Sequence, residues 1–184
     1  MWKLLAASSA MVWASVAWSQ EAPQFPEHVD IGQVSTPGTV TPLADGWRMS
    51  ASGANIWGSA DAMHYAFTRR SGDLHVAADI TFEGKGVDPH RKAGLMIRQN
   101  LTPGSPYADV MVHGDGMVSL QYRAEQDGPS RQIVSAVWHP SRVRLEREGD
   151  FVYMSVAGKD GVLRHAGGSF RIPFQAPYLV GLAL

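Results

Sequence analysis

The sequence predicts an all-β fold in which two antiparallel sheets pack as a sandwich. Three observations carry that prediction. Short runs alternating apolar and polar residues recur about every ten positions after Gly46, and Gly and Asp turn signals separate them. No segment beyond the N-terminal leader shows a sustained helical period with caps, which argues against a parallel α/β sheet. Ten or so strands without helices must pack sheet on sheet or close into a barrel. Long strands with tight hairpins and 19 Gly favour a curved, jelly-roll sandwich.

Residues 1–19 read as a cleavable secretory signal. Lys3 precedes an uncharged, mostly apolar stretch from Leu4 to Trp18, and Ala17-Trp18-Ser19 supplies small residues for cleavage after Ser19. An apolar run of about 15 residues falls short of the roughly 20 needed to span a bilayer, so no membrane span is expected after cleavage. The expected setting is exported, periplasmic or extracellular. Absence of Cys excludes disulfides, thiolate metal sites and cysteine nucleophiles. The remaining chain, about 165 residues, suits one domain stabilised by its core alone.

Residues 20–45 are rich in Pro, Gly, Ser and Thr and form a lead-in, with an edge strand expected around Ile31 to Val34. The sandwich domain is read as 46–184. Met63, Tyr65 and Phe67 share one face; after Arg70-Ser71-Gly72-Asp73, Leu74, Val76, Ala78, Ile80 and Phe82 share another, which reads as an antiparallel hairpin. A second hairpin runs from Ala108, Val110 and Val112 through Gly114-Asp115-Gly116 to Val118, Leu120 and Tyr122. A third joins Val143 and Leu145 to Val152, Met154 and Val156 through Glu148-Gly149-Asp150. The final run, Tyr178 to Leu184, reads as a buried strand with no turn after it, as though the sandwich were truncated before its last strand.

Charge narrows the partners. The formal net charge is -1, and losing Lys3 with the leader moves it to -2. Basic residues are interleaved with acids, as in Arg142-Val143-Arg144-Leu145-Glu146-Arg147-Glu148, so no single-sign stripe exists for nucleic acid.

Several runs resemble bacterial exported domains with the concanavalin-A-like, or laminin-G-like, jelly-roll fold. They are Asp30-Ile31-Gly32, Gly53-Ala54-Asn55-Ile56-Trp57-Gly58-Ser59-Ala60-Asp61-Ala62-Met63-His64-Tyr65, Ser71-Gly72-Asp73, Lys92-Ala93-Gly94-Leu95-Met96-Ile97-Arg98, Pro103-Gly104-Ser105-Pro106, Gln121-Tyr122-Arg123 and Val180-Gly181-Leu182-Ala183. The resemblance implies a domain that accompanies carbohydrate-active enzymes or precedes a TolB-like β-propeller. It also implies a last strand beyond Leu184. Asn55 stands where the family often has Asp, and Val87-Asp88-Pro89-His90-Arg91 is more basic than usual.

Two residue groups are candidate ligand contacts. Trp57, Asp61 and His64 stand close together before a strand, where a ring could stack on a sugar and polar groups could bond its hydroxyls. The competing reading has Trp57 in the core and Asp61 capping a turn. Arg98, Gln121 and Arg123, with His113 at a strand end, would line the polar face of central strands, concave in a curved sandwich; spacing by two puts Gln121 and Arg123 on one face. The competing reading is a solvated outer face.

These residues lead to a non-catalytic binding or accessory module for a glycan or cell-envelope component. One alternative is a structural domain packed on a downstream TolB-like propeller. A glycoside hydrolase is another, but no Glu-x-Asp-x-Glu string occurs, and Glu146 and Glu148 are flanked by Arg144 and Arg147, which favours their ionised forms. No Gly-x-Ser-x-Gly elbow occurs either. No cofactor is expected. The seven His form no His-x-x-x-His pair for zinc, whereas calcium stays open, with Asp61, Asp88 and Asp115 as loop or turn acids.

Overall fold

A computed structural model describes residues 25–184 apart from Lys85 and Val87. The secretory signal assigned to residues 1–19 lies outside the described residues. The described residues form thirteen strands: β1 Glu27–Ile31, β2 Thr39–Leu43, β3 Gly46–Ser50, β4 Met63–Arg70, β5 Leu74–Ala78, β6 Lys92–Arg98, β7 Tyr107–His113, β8 Val118–Arg123, β9 Arg131–Val134, β10 Arg142–Glu148, β11 Phe151–Ala157, β12 Leu163–Arg171 and β13 Tyr178–Ala183. Seven build one sheet in the order β1-β4-β13-β6-β7-β8-β9, four build a second in the order β12-β11-β10-β5, and β2 and β3 form a separate ribbon. Every strand pair is antiparallel. No helix among the described residues is long and apolar enough to cross a membrane.

The two-residue side-chain period explains why the sheets meet. Leu95, Ile97, Val110, Leu120 and Val180 of the larger sheet pack with Val143, Leu145, Val152 and Met154 of the smaller, forming the intersheet core. The intervening residues of the larger sheet face the other way. Tyr65, Phe67, Met96, Tyr107, Met111 and Leu179 form a second cluster there, with Ile56 from the β3–β4 connection among them. Both faces of the central strands are therefore buried, which is why β7 is buried at every position.

The hairpins read at Gly114-Asp115-Gly116 and Glu148-Gly149-Asp150 are present, with Val112 opposite Val118 and Glu148 opposite Phe151. The one read between Met63 and Phe82 is not a hairpin. Strand β4 pairs with β1 and β13, whereas β5 pairs with β10 in the other sheet. The Arg70–Asp73 turn carries the chain across the sandwich, and its Gly72 (φ 77°) is pinned through its carbonyl, which accepts hydrogen bonds from Tyr178 Oη and Arg147 Nη1. A turn motif records a reversal but not which sheet receives the next strand. Regular pairing also ends at Ala78, although Ile80 and Phe82 still pack on the core.

The larger sheet reaches into the segment read as lead-in: β1 forms its edge, ending at Ile31, and Val34 bridges Gly53. Strand β13 lies between β4 and β6, with Gly181 against β4 so closely that a Cβ would come within 1.8 Å of the Ala66 carbonyl oxygen.

A polar floor beneath a tethered loop

The face of the larger sheet turned away from the core is where the candidate residues gather. Register fixes its rows: Arg98 lies beside Tyr107 and Arg123, Met96 beside Asp109, Gln121 and Gln132, and Lys92 beside His113. Across this face runs the 53–62 connection, folded back on itself by the Asn55–Ala62 bridge and tied down by a hydrogen bond from Asp61 N to Pro103 O.

Asp61 is the anchor of that loop. Its Oδ2 accepts from Arg98 Nη1 at 2.5 Å and Arg123 Nη1 at 2.9 Å, and its Oδ1 accepts from Arg123 Nη2 at 2.7 Å. All three side chains are fully buried. The remaining guanidinium donors go to carbonyls: Arg98 to Asn100, Thr102 and Pro103, and Arg123 to Gly58, Pro103, Ser105 and Gly128. The Arg123 guanidinium also lies 4.9 Å from the Tyr107 ring centroid. Gly58 O accepts Ser130 N as well, so the loop crown is held from below by one arginine and one β9-side turn.

This arrangement redistributes the sequence candidates. Arg98 and Arg123 share a face with Gln121, but neither is a solvated surface charge, and every guanidinium nitrogen of both is already hydrogen-bonded within the protein. Asp61 does not cap a turn with its carboxylate; it pairs two buried cations. Trp57 is 36 % exposed at the crown of the loop rather than in the core. His64, next to Met63 on β4, faces away from the Met63–Tyr65–Phe67 side, and its Nδ1 bonds Asp30 Oδ1 at 2.7 Å while Gly38 packs on its ring. The His64 hydrogen bond holds the Asp30 carboxyl below its usual range, helped by Gly38 N–H. The trio Trp57, Asp61 and His64 is thus divided between two faces.

Two residues that pattern reading missed complete the floor. Asp109 is 0 % exposed, and neither carboxylate oxygen has a hydrogen-bond partner. Burial raises its pKa well above the ordinary aspartate value. Lys92 Nζ donates to Ile56 O at 3.2 Å and Gln121 Oε1 at 3.4 Å, and sits 5.8 Å from the Trp57 ring centroid. Desolvation lowers its pKa, with Asp109 pulling the other way. Gln121 Nε2 in turn donates to Gln132 Oε1 at 3.1 Å on the exposed edge strand. His113 closes the row: Nε2 lies 3.5 Å from Ser119 Oγ, Nδ1 has no partner, and burial drops its pKa to about 4. The signal for Asp109 was present in Tyr-Ala-Asp-Val-Met-Val-His, where one acid interrupts a strand apolar on both sides.

Other surfaces carry less. An open cleft of about 650 Å³ runs between Val134–Val137 and Gly158–Gly167, but none of its lining residues holds an unpartnered buried polar atom. Glu146 lies on the outer side of the smaller sheet, where Oε2 accepts from Ser155 Oγ at 2.8 Å and pairs with Arg144 at 3.0 Å. No group of three or more His, Asp or Glu suited to a metal occurs among the described residues. Asp88 and Asp115 are engaged as turn acceptors for His90 N and Met117 N.

No protein-family model and no curated protein sequence matches the chain. Solved structures do. A protein of unknown function from Saccharomyces cerevisiae superimposes with a TM-score of 0.60 at 16% identity, covering 88% of this chain and 88% of its own. The carbohydrate binding module CBM66 from Bacillus subtilis gives a TM-score of 0.48 at 15% identity, over 85% of this chain and 90% of its own. At such identities the first likeness concerns the fold alone.

Proposed function

We propose that this chain is a non-catalytic saccharide-binding module of the concanavalin-A-like type, whose ligand docks on the outer face of the seven-stranded sheet against Trp57, Lys92 and Gln132. The observation that carries this reading is the polar row Asp109–Gln121–Gln132, laid across three strands beneath a partly exposed tryptophan, with an acid at its inner end that lacks any hydrogen-bond partner. Buried polar atoms are ordinarily satisfied, so an unsatisfied one in a row that runs out to the exposed Gln132 marks a place where a ligand or water completes the network. A sugar ring offers an apolar face to Trp57 and hydroxyls to Lys92 and the two glutamines.

The non-catalytic part rests on the acids. Glycoside hydrolysis needs two carboxyl groups flanking the scissile bond. At this face Asp61 is consumed by Arg98 and Arg123, which leaves Asp109 without a free counterpart among the described residues. The reading of residues 1–19 as a secretory leader supports a setting outside the cytoplasm, where polysaccharides are met.

Calorimetric titration with a saccharide panel tests the reading. Trp57→Ala should weaken binding about tenfold, the loss of one ring contact, while the melting temperature moves little. Full affinity in Trp57→Ala, or no saccharide bound by the wild type, would overturn it.

A further inference from the structure

We infer that the ligand is an acidic saccharide, and that Lys92 is the group that selects it. This inference rests on the saccharide-binding reading and adds the charge of the ligand.

The geometry is one of a half-buried cation without an ion-pair partner. Three cations, Lys92, Arg98 and Arg123, occupy the floor with two acids, Asp61 and Asp109, while Asp88 acts on Lys92 only from a distance. Asp61 offsets the arginines only in part, one carboxylate against two guanidinium groups. Lys92 forms no salt bridge among the described residues; its two acceptors, Ile56 O and Gln121 Oε1, are both neutral. It is also the one of the three cations that is not fully buried: Arg98 and Arg123 are sealed beneath the loop, whereas Lys92 is half-buried beside the partly exposed Trp57.

Burial disfavours the anionic form of Asp109, so it is a poor source of counter-charge for Lys92. A carboxyl buried without a donor keeps its proton beyond the range of a hydrated aspartate. In that form it offers an O–H donor instead of a repelling anion, and Lys92 is left to be answered from outside. An acidic group on the sugar would pair with the ammonium and recover part of its desolvation cost. The face carries other groups that a pH series must consider: Tyr65 on β4, Tyr107 and His113 on β7, His90 beside His113, and Asp88, which acts on Lys92 from the β5–β6 connection. Burial raises both tyrosines, so neither ionises in the working range. His113 is already neutral above about 4.

The pH dependence has one sign. Raising pH favours the ionised form of Asp109, which repels an anion, and the neutral form of Lys92, which no longer attracts one. Both weaken binding of an acidic sugar and leave a neutral one nearly unaffected.

The test is calorimetric titration with a uronic-acid trisaccharide and its neutral hexose counterpart, from about pH 5.5 to about 8.5 at low salt, where the uronate stays ionised. The expected result is at least about tenfold preference for the uronate at the acid end, shrinking as pH rises, abolished in Lys92→Gln and retained in Lys92→Arg. A sulfated trisaccharide distinguishes the two sources of the anionic group: a preference for either anion over the neutral sugar that is lost in Lys92→Gln supports the inference, and a preference for neither overturns it. Binding of the neutral sugar equal to or tighter than that of both anions would overturn the inference while leaving the saccharide reading intact. A preference that survives in Lys92→Gln would place selection elsewhere and overturn the role of Lys92. Binding of none of the three sugars would overturn the inference and count against the parent reading.

Discussion

Asp61→Asn will lower folding stability by about 3–5 kcal/mol, the cost of removing one partner from a buried ion pair. For a domain of this size that corresponds to a fall of roughly 6–20 °C in melting temperature. The reason is an asymmetry between paired and orphaned charge. Asp61 neutralises part of two guanidinium groups that are themselves fully buried, and it receives three hydrogen bonds from them. An amide would accept some of those bonds but would leave both cations without a counter-charge. The damage should also be local in a specific way. The same carboxylate positions Arg123, whose Nε and Nη2 hold Gly58 O at the loop crown. Amide hydrogen exchange in Asp61→Asn should therefore accelerate across 53–62 and 99–105 more than in β10 and β11. Calorimetry showing a loss below about 1 kcal/mol, the scale of a surface pair, would remove the ion triad from the account.

Asp109→Asn should act in the opposite direction, stabilising the fold at neutral pH. The unfolded aspartate ionises near pH 3.9 and the folded one only well above that. Between those values the native state holds the extra proton, so the protein loses stability as pH rises through the interval and then levels off. The contribution is intact only below the unfolded value. Asparagine cannot ionise, so the variant escapes this penalty. It should exceed the wild type at pH 7, by a margin that opens as pH rises above the unfolded value. His113 produces the reverse slope in both proteins: its folded pKa of about 4 lies below the unfolded value, so that contribution is present above about 6.5 and lost as pH falls. Taking the difference between variant and wild type cancels it. Urea midpoints measured across pH should diverge upward for Asp109→Asn; parallel curves would mean that Asp109 is not desolvated as described.

Local patterning sufficed where local physics decides the outcome. Tight Gly-Asp-Gly and Glu-Gly-Asp turns leave β7 to β8 and β10 to β11 no room but to pair, and both pairs were legible from alternation alone. The β4 to β5 step was not, because the Arg70–Asp73 turn is equally compatible with pairing and with crossing between sheets. What settles it is β13, more than a hundred residues later, which claims the edge of β4 that β5 would have used. Likewise β1 ends where an edge strand was expected to begin, since its register is set by Met63–Phe67 rather than by its own sequence.

The site was half legible for the same reason. Spacing by two put Gln121 and Arg123 on one face, and that face is the one covered by the Trp57 loop. The fate of the arginines was hidden because their counter-charge, Asp61, lies 37 and 62 positions away. Asp109 was passed over because a charged residue inside an apolar strand looks like an outward-facing break in the pattern. Here both faces of the strand are buried, one by the second sheet and the other by a loop, and no periodicity reports the loop.

The claim on which the functional account depends is that a saccharide docks on this covered face. Backbone amide chemical-shift mapping during titration with the bound sugar tests it most directly. The account predicts that perturbations gather in residues 55–60 and at Lys92, Gln121 and Gln132. Perturbations gathered instead around the cleft between Val134 and Gly167, with the Trp57 loop unmoved, would contradict it.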